Sequence, residues 1–339
     1  MQQDGQLHLY RSHAMNTEIE TILESQPDPM NRELAQMVDK WFHAVERRFS
    51  RFLPESELSR LNSHSGKLTL VSAPMAEVLL LADSYRSQTE GLFTPFVHDA
   101  LRAAGYDRSF EKLDKENAFV TDILTGSEAF MTLHPQMKAV QLRAGAHLDL
   151  GGIVKGWSAE RLAGRLRRKY GIKRGLANAG GDLQVWGGSS HDEPWNIGIA
   201  SPWDTEEELA IVCLREGAVA TSSVWGRSWT YGPHGQGHHL IDPRTMKPAI
   251  SDVAQCSIAG DSLIPCEIWA KVVCIAGVEP GMALLQKHAP RMEALIVTHA
   301  GDIHFYGDPH QLDSRWEIEK LDFLHAITNE TETKGERIR

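Results

Sequence analysis

Across residues 31–49 the apolar side chains Leu34, Met37, Val38, Trp41, Phe42, Val45 and Phe49 recur at helical intervals. That spacing predicts an amphipathic helix with one face on a core. A second helix is predicted over 74–89, with Ser72 placed to cap it, Pro74 in the first turn and Gly91 just past its end. A third begins near Val154, carries Ala159, Leu162 and Leu166 on one face, and stops at Gly171 after Tyr170. Beyond it the period shortens, and 183–186, 195–199 and 210–214 read as strands joined by tight turns. Helices return at 265–276, stopped by Gly277, and at 281–288. A closing hairpin is predicted from 294–298 and 303–306, turning at Ala300-Gly301-Asp302. Helices mixed with hairpins in this way predict an α+β fold of mixed and antiparallel sheets with packed helices. No repeat or long linker interrupts the chain. The expectation is one domain over 1–325 and a polar, unstructured tail over 326–339.

Composition narrows the function. With 339 residues, 42% of them hydrophobic, the chain can bury a full core. Its net charge of −10 argues against a nucleic-acid or anionic-membrane partner, while leaving room for a local cationic pocket. Cys213, Cys256, Cys266 and Cys274 form no CxxC pair and match no zinc spacing, which predicts free thiols in a reducing compartment. Nothing resembles a signal peptide or a membrane span, so a cytoplasmic protein without membrane insertion is expected.

Four segments carry candidate chemistry. Residues 148–156 read as a strand ending in Gly151-Gly152 and running directly into the third helix. Such a junction offers unpaired N–H groups and positive dipole density to a phosphate, with Lys155 as a mobile cation and Asp149 as an acceptor for a ribose or base. A plain glycine turn beside a surface lysine fits the same residues. Residues 177–182, ending Gly180-Gly181-Asp182, suit a hairpin turn. In 237–245, His239 and Asp242 fall on opposite faces of an extended stretch, so no dyad is expected, and His239 is the candidate titrating group. Glu267 and Lys271 lie four apart on one helical face, the spacing of an ion pair.

No one of these segments is specific, but their order is. Met15-Asn16-Thr17, Phe93-Thr94-Pro95, the run Asp149-Leu150-Gly151-Gly152-Ile153-Val154-Lys155-Gly156, Gly180-Gly181-Asp182, Ala220-Thr221-Ser222 and His239-Leu240-Ile241-Asp242-Pro243 follow one another along the chain. Together they resemble the FAD:protein FMN transferases (ApbE-type), over roughly residues 10 to 310. The resemblance implies a T-fold-related architecture. It implies a reaction in which FAD is split at its pyrophosphate, FMN is joined by a phosphoester to a threonine or serine of an acceptor flavoprotein, and AMP is released. It implies that Met15, Leu92, Phe93 and Thr94 line the flavin nucleotide, and that Asp149, Gly151, Lys155, Gly181, Asp182 and Thr221 belong to the FAD site. His239 would stand beside the reacting phosphates as base or phosphate partner, with Lys155 and Lys271 as further catalytic groups. The Gly152 carbonyl and Glu267 would face Mg2+.

Three positions depart from the family pattern. Asn16 replaces a glycine, Thr94 an aspartate, and the metal-binding Asp-x-x-x-Thr helix appears as Glu267-Ile268-Trp269-Ala270-Lys271. Magnesium takes oxygen ligands, and an ammonium offers none. Either Lys271 occupies the cation's place and is held by Glu267, or magnesium binds through Glu267, the Gly152 carbonyl and the FAD phosphates with Lys271 turned to a phosphate; we favour the first. Two other functions would use the same pocket: an FAD carrier or sensor without transfer, and an FAD pyrophosphatase releasing FMN and AMP. Residues 122–127 loosely resemble an acceptor segment, which raises self-flavinylation as a minor expectation.

Overall fold

The computed structural model describes residues 6–25, 30–113, 130–187, 193–231, 235–327 and 336–337. At its centre is a ten-stranded sheet whose spatial order follows the chain: Gln6–Ala14, Thr17–Ser25, Gly175–Ala179, Leu183–Trp186, Gly217–Ser223, Val253–Gly260, Glu293–Thr298, Ile303–Gly307, Phe323–Ala326 and Glu336–Arg337. Every neighbouring pair is antiparallel except Ile303–Gly307 with Phe323–Ala326. Two-residue side-chain alternation divides the sheet between two cores. Ala218 and Ala220, Cys256 and Ile258, and Ala294 and Ile296 point to the helical layer, whereas Val219, Ala259, Leu295 and Val297 point the other way. The second face is covered by a three-stranded sheet of Trp195–Ala200, Glu208–Leu214 and Trp316–Ile318, through Trp195, Ile197, Val212 and Trp316. Over the central strands both faces are therefore buried, and ligand access there is left to the ends of the strands and the loops beside the helices.

The helical layer forms where periodicity predicted it. Met30–Phe49 buries Leu34, Val38, Phe42, Val45 and Phe49. Ala73–Gln88 is capped by Ser72, whose hydroxyl accepts the Met75 N–H at 3.3 Å. Val154–Tyr170 ends at Gly171 in the left-handed region, φ 65°. Leu263–Ala276 begins two residues before the predicted Pro265 and packs on Gly217–Ser223 and Val253–Gly260. Gly277, at φ 94°, ends that helix and opens Val278–His288, whose Val278 N–H donates to Asp252 Oδ1 at 3.0 Å.

One expectation changes, and one element is new. Residues 148–149 form no strand, because Leu148 is held by a side chain: its N–H donates to Asn62 Oδ1 at 2.8 Å and its carbonyl accepts from Asn62 Nδ2 at 2.9 Å. The opening hairpin Gln6–Ala14/Thr17–Ser25 was not expected; it turns on Met15 and Asn16, at φ 54° and 60°. Of the 326–339 tail, Glu336 and Arg337 pair with Leu324 and Phe323, and the residues resembling an acceptor segment, 122–127, lie outside the described residues. No helix among the described residues is long and apolar enough to cross a membrane.

Candidate functional site

The segment entering the Val154–Tyr170 helix is fastened at both ends. The Asp149 N–H donates to the Pro95 carbonyl at 2.8 Å, which ties it to the Leu92-Phe93-Thr94 turn. Asp149 Oδ1 accepts the Gly151 N–H at 2.8 Å, and Oδ2 lies 2.6 Å from Arg51 Nε. Arg51 has 5% of its side chain exposed, lies over the rings of Phe52 and Tyr106, and donates to the Tyr106 carbonyl at 2.7 Å. Burial lowers the pKa of its guanidinium, and the Asp149 carboxylate opposes that shift. Asp149 thus holds a buried arginine at the floor of the site.

Behind the helix start lie two buried carboxylates, each paired with an ammonium. Asp182, at the end of the Gly180-Gly181 hairpin turn, is 1% exposed and paired with Lys155. Glu267 is fully buried; its Oε2 accepts the Gly156 N–H at 2.8 Å, and its Oε1 lies 3.1 Å from Lys271 Nζ. The same ammonium donates to the Glu267 carbonyl at 3.1 Å. Burial pushes the Asp182 carboxyl above its ordinary range, Lys155 opposes this and Glu267 adds to it. The group is therefore electrostatically interdependent. Gly156 permits this approach, since a Cβ there would stand 2.8 Å from Glu267 Oε2 and 3.3 Å from the Leu263 carbonyl. Gly156→Ala should therefore cost about 1–3 kcal/mol of stability by overpacking, read as a lower urea midpoint.

Lys155 and Lys271 form part of the wall of a cavity of about 910 Å3, near the upper end of the usual size of small-molecule and cofactor sites. Met15, Leu92, Phe93, Thr94, Asp149, Gly151, Gly152, Thr221 and His239 line it as well. Gly181, Asp182 and Glu267 do not: the two acids act through the lysines they hold, and Gly181 stays in the exposed hairpin turn. Met15 N–H is fixed on Glu46 Oε1 at 2.9 Å, Thr94 Oγ1 accepts the Phe96 N–H at 3.3 Å, and the Thr221 and Ser257 hydroxyls share a 2.8 Å hydrogen bond.

His239 is half-buried in the wall, and its buried Nδ1 has no hydrogen-bond partner among the described residues. Burial and the nearby charges of Arg227, Lys271 and Lys155 hold its pKa well below the ordinary 6.5, so it is a neutral imidazole at neutral pH. Asp242 is engaged elsewhere, by Arg244 at 2.8 Å, as its opposite facing predicts. The sequence reading missed Arg51, Arg227 and Tyr106, which lie in no glycine or histidine motif. Arg227 donates to the Asn16 carbonyl at 3.2 Å and so ties the opening hairpin to the cavity. Among the described residues the cavity carries six Lys and Arg against four Asp and Glu, a local reversal of the chain's negative charge that suits an anionic ligand.

The residues around Glu267 do not fit a magnesium shell. Both Glu267 oxygens are engaged, Asp182 is taken by Lys155, and Lys271 presents a charge of the metal's own sign. A Cβ at Gly152 would lie 3.4 Å from Lys271 Cε and 3.5 Å from the Phe93 ring, so the lysine stem and the ring close on Gly152 together. Among the described residues, His98, Asp99 and His147 form a group with metal-ligand spacing, and it includes neither Glu267 nor Asp182.

Comparison with known proteins places the chain among flavin transferases in sequence and fold. An FAD:protein FMN transferase of Klebsiella pneumoniae is 28% identical over 160 residues, 47% of this chain and about half (48%) of that protein's length. One of Treponema pallidum is 27% identical over 263 residues, covering 72% of this chain and 71% of that protein. The crystal structure of the ApbE protein from Thermotoga maritima superposes with a TM-score of 0.77 at 24% identity, covering 88% of this chain and 96% of that one, which establishes the shared fold. The ApbE family model matches residues 15–296, from the Met15 turn to the strand Glu293–Thr298, and the chain belongs to the ApbE family.

Proposed function

We propose that this chain is an FAD:protein FMN transferase acting on a hydroxyl of an acceptor flavoprotein. The observation that carries the reading is the cavity: Lys155, Lys271 and Arg227 surround a neutral His239 at its wall. A pyrophosphate needs cations for its charge, and a hydroxyl nucleophile needs a group that can take its proton; neutral imidazole is such a group at neutral pH. In the step proposed, the acceptor's Thr or Ser oxygen attacks the FMN phosphorus of FAD. The new P–O bond forms as the bond to the bridging oxygen breaks, AMP leaves with that oxygen, and the hydroxyl proton passes to His239. Phosphoryl transfer of this kind draws mainly on alignment and charge stabilisation. The Leu92-Phe93-Thr94 turn and Met15 provide the flavin-side wall, Arg51 and Asp149 fix the floor, and the lysines hold the phosphates.

The four cysteines are free and three are buried, so we place this reaction in the reducing cytoplasm. FAD is the substrate rather than a resident group. The test compares FAD cleavage with and without the apo form of a flavoprotein that carries threonine-linked FMN when mature. AMP release that depends on this acceptor supports transfer. Equal release of FMN and AMP without it would make the protein a pyrophosphatase, and tight FAD binding without cleavage a carrier.

A further inference from the structure

We propose that Lys271 is a built-in cation for the FAD pyrophosphate, so that this chain binds and cleaves FAD without a divalent metal. The inference rests on the FAD reading above and specifies how that site neutralises its ligand. Four observations carry it.

The first is charge balance: the two carboxylates beside the helix start, Asp182 and Glu267, are matched by two ammonium groups, Lys155 and Lys271. No buried carboxylate remains in this cluster to offset a divalent ion. The second is occupancy of ligand atoms. Glu267 Oε2 is taken by the Gly156 N–H at 2.8 Å, and Oε1 and the backbone carbonyl by Lys271 at 3.1 Å each. Magnesium requires near-octahedral oxygen coordination, and entry here would displace the ammonium from a residue with no solvent exposure. The third is restraint: the Lys271 stem lies against Gly152, and its side chain is only 13% exposed. The fourth is access. Lys271 lines the cavity together with Lys155 and His239, and an ammonium has three donors, two of which are used on Glu267. The third can serve a phosphate oxygen.

Glu267 thereby becomes a positioning residue for a cation supplied by its own helix, one turn on. A point charge on a fixed stem replaces an exchangeable ion. It provides charge without a coordination shell, so cleavage would draw on Lys155, Lys271 and Arg227 for its electrostatics.

The experiment measures FAD affinity of the purified full chain by flavin fluorescence, in EDTA and in excess Mg2+, alongside metal content by elemental analysis. The expected result is the same affinity in both buffers and less than stoichiometric metal. The variant Lys271→Thr should lose about 10- to 100-fold in EDTA, the size of one charge-assisted hydrogen bond, and recover part of the loss in Mg2+. Circular dichroism of that variant, together with the wild-type comparison that needs no substitution, separates misfolding from loss of the cation. Wild-type affinity that collapses in EDTA and returns with Mg2+ would overturn the proposal, as would an unchanged affinity in folded Lys271→Thr. Absence of FAD binding in either buffer would instead overturn the reading of the cavity itself.

Discussion

Replacing His239 by alanine lowers the rate of FAD-dependent FMN transfer by about 100- to 10,000-fold, the usual loss for a general base, while leaving FAD affinity within a few-fold. The fold should survive, because among the described residues the buried Nδ1 of His239 makes no hydrogen bond and its removal strands no partner there. The pH profile discriminates further. With its pKa held well below 6.5 by burial and surrounding cations, His239 stays neutral through the range in which a solvent-exposed histidine titrates. Activity of the wild type should therefore hold through pH 6.5, and its acid limb should fall lower. Stability follows the same linkage: because the folded pKa is depressed, stability is complete above the ordinary 6.5 and declines as pH falls from there toward the folded value. In the alanine variant this part of the decline should vanish, as followed by denaturant midpoints between pH 7 and 5. An unchanged transfer rate in folded His239→Ala would remove it from the chemistry.

Lys155→Met should be the most destabilising of the single substitutions at the site, by about 3–5 kcal/mol, because it leaves Asp182 buried without its counter-charge. The companion Asp182→Asn in the same chain should recover much of that loss, since an amide needs no cation. Sign and pH are linked here too. Without Lys155 the Asp182 carboxyl, already raised by burial, rises further, so the single variant should regain stability as pH is lowered and the group protonates. A double-mutant cycle by urea denaturation at pH 7 and pH 5 tests both points. FAD affinity should stay weak in the double variant, which separates the lysine's part in the cavity from its part in the fold.

Helices were legible because their apolar positions face one core. Met30–Phe49 and Val154–Tyr170 bury residues that their spacing selects, while capping chemistry marks the start of Ala73–Gln88 at Ser72 and the end of Val154–Tyr170 at Gly171. The first strand of the opening hairpin was illegible for a physical reason. On Gln6–Ala14 the apolar Leu7 and Leu9 are exposed, while the inward His8, Tyr10 and Ser12 reach Asn31 and Asp39 on the facing helix. Its alternation is inverted, and hydrophobic pattern alone cannot find a strand that packs through polar atoms. Residues 148–149 failed in the opposite sense: Leu148 reads as strand but is claimed by the Asn62 amide, a contact 86 residues away in sequence.

The site was legible where glycine and acid motifs mark it and obscure where it is assembled by distance. Glu267 and Lys271 could be paired from helical spacing alone. The Lys155–Asp182 pair could not, since a helix start and a hairpin turn carry no sequence signal that they meet. Arg51 follows the end of Met30–Phe49 in a segment without a motif, and only the fold places it on Asp149.

The most direct measurement of the central claim is a mass balance on one reaction: purified chain, FAD and the apo acceptor flavoprotein, with AMP quantified and the acceptor weighed intact. The account predicts one AMP for each FMN phosphate gained by the acceptor, with the new mass on a threonine or serine. AMP without added mass on the acceptor, or no AMP at all, would contradict it.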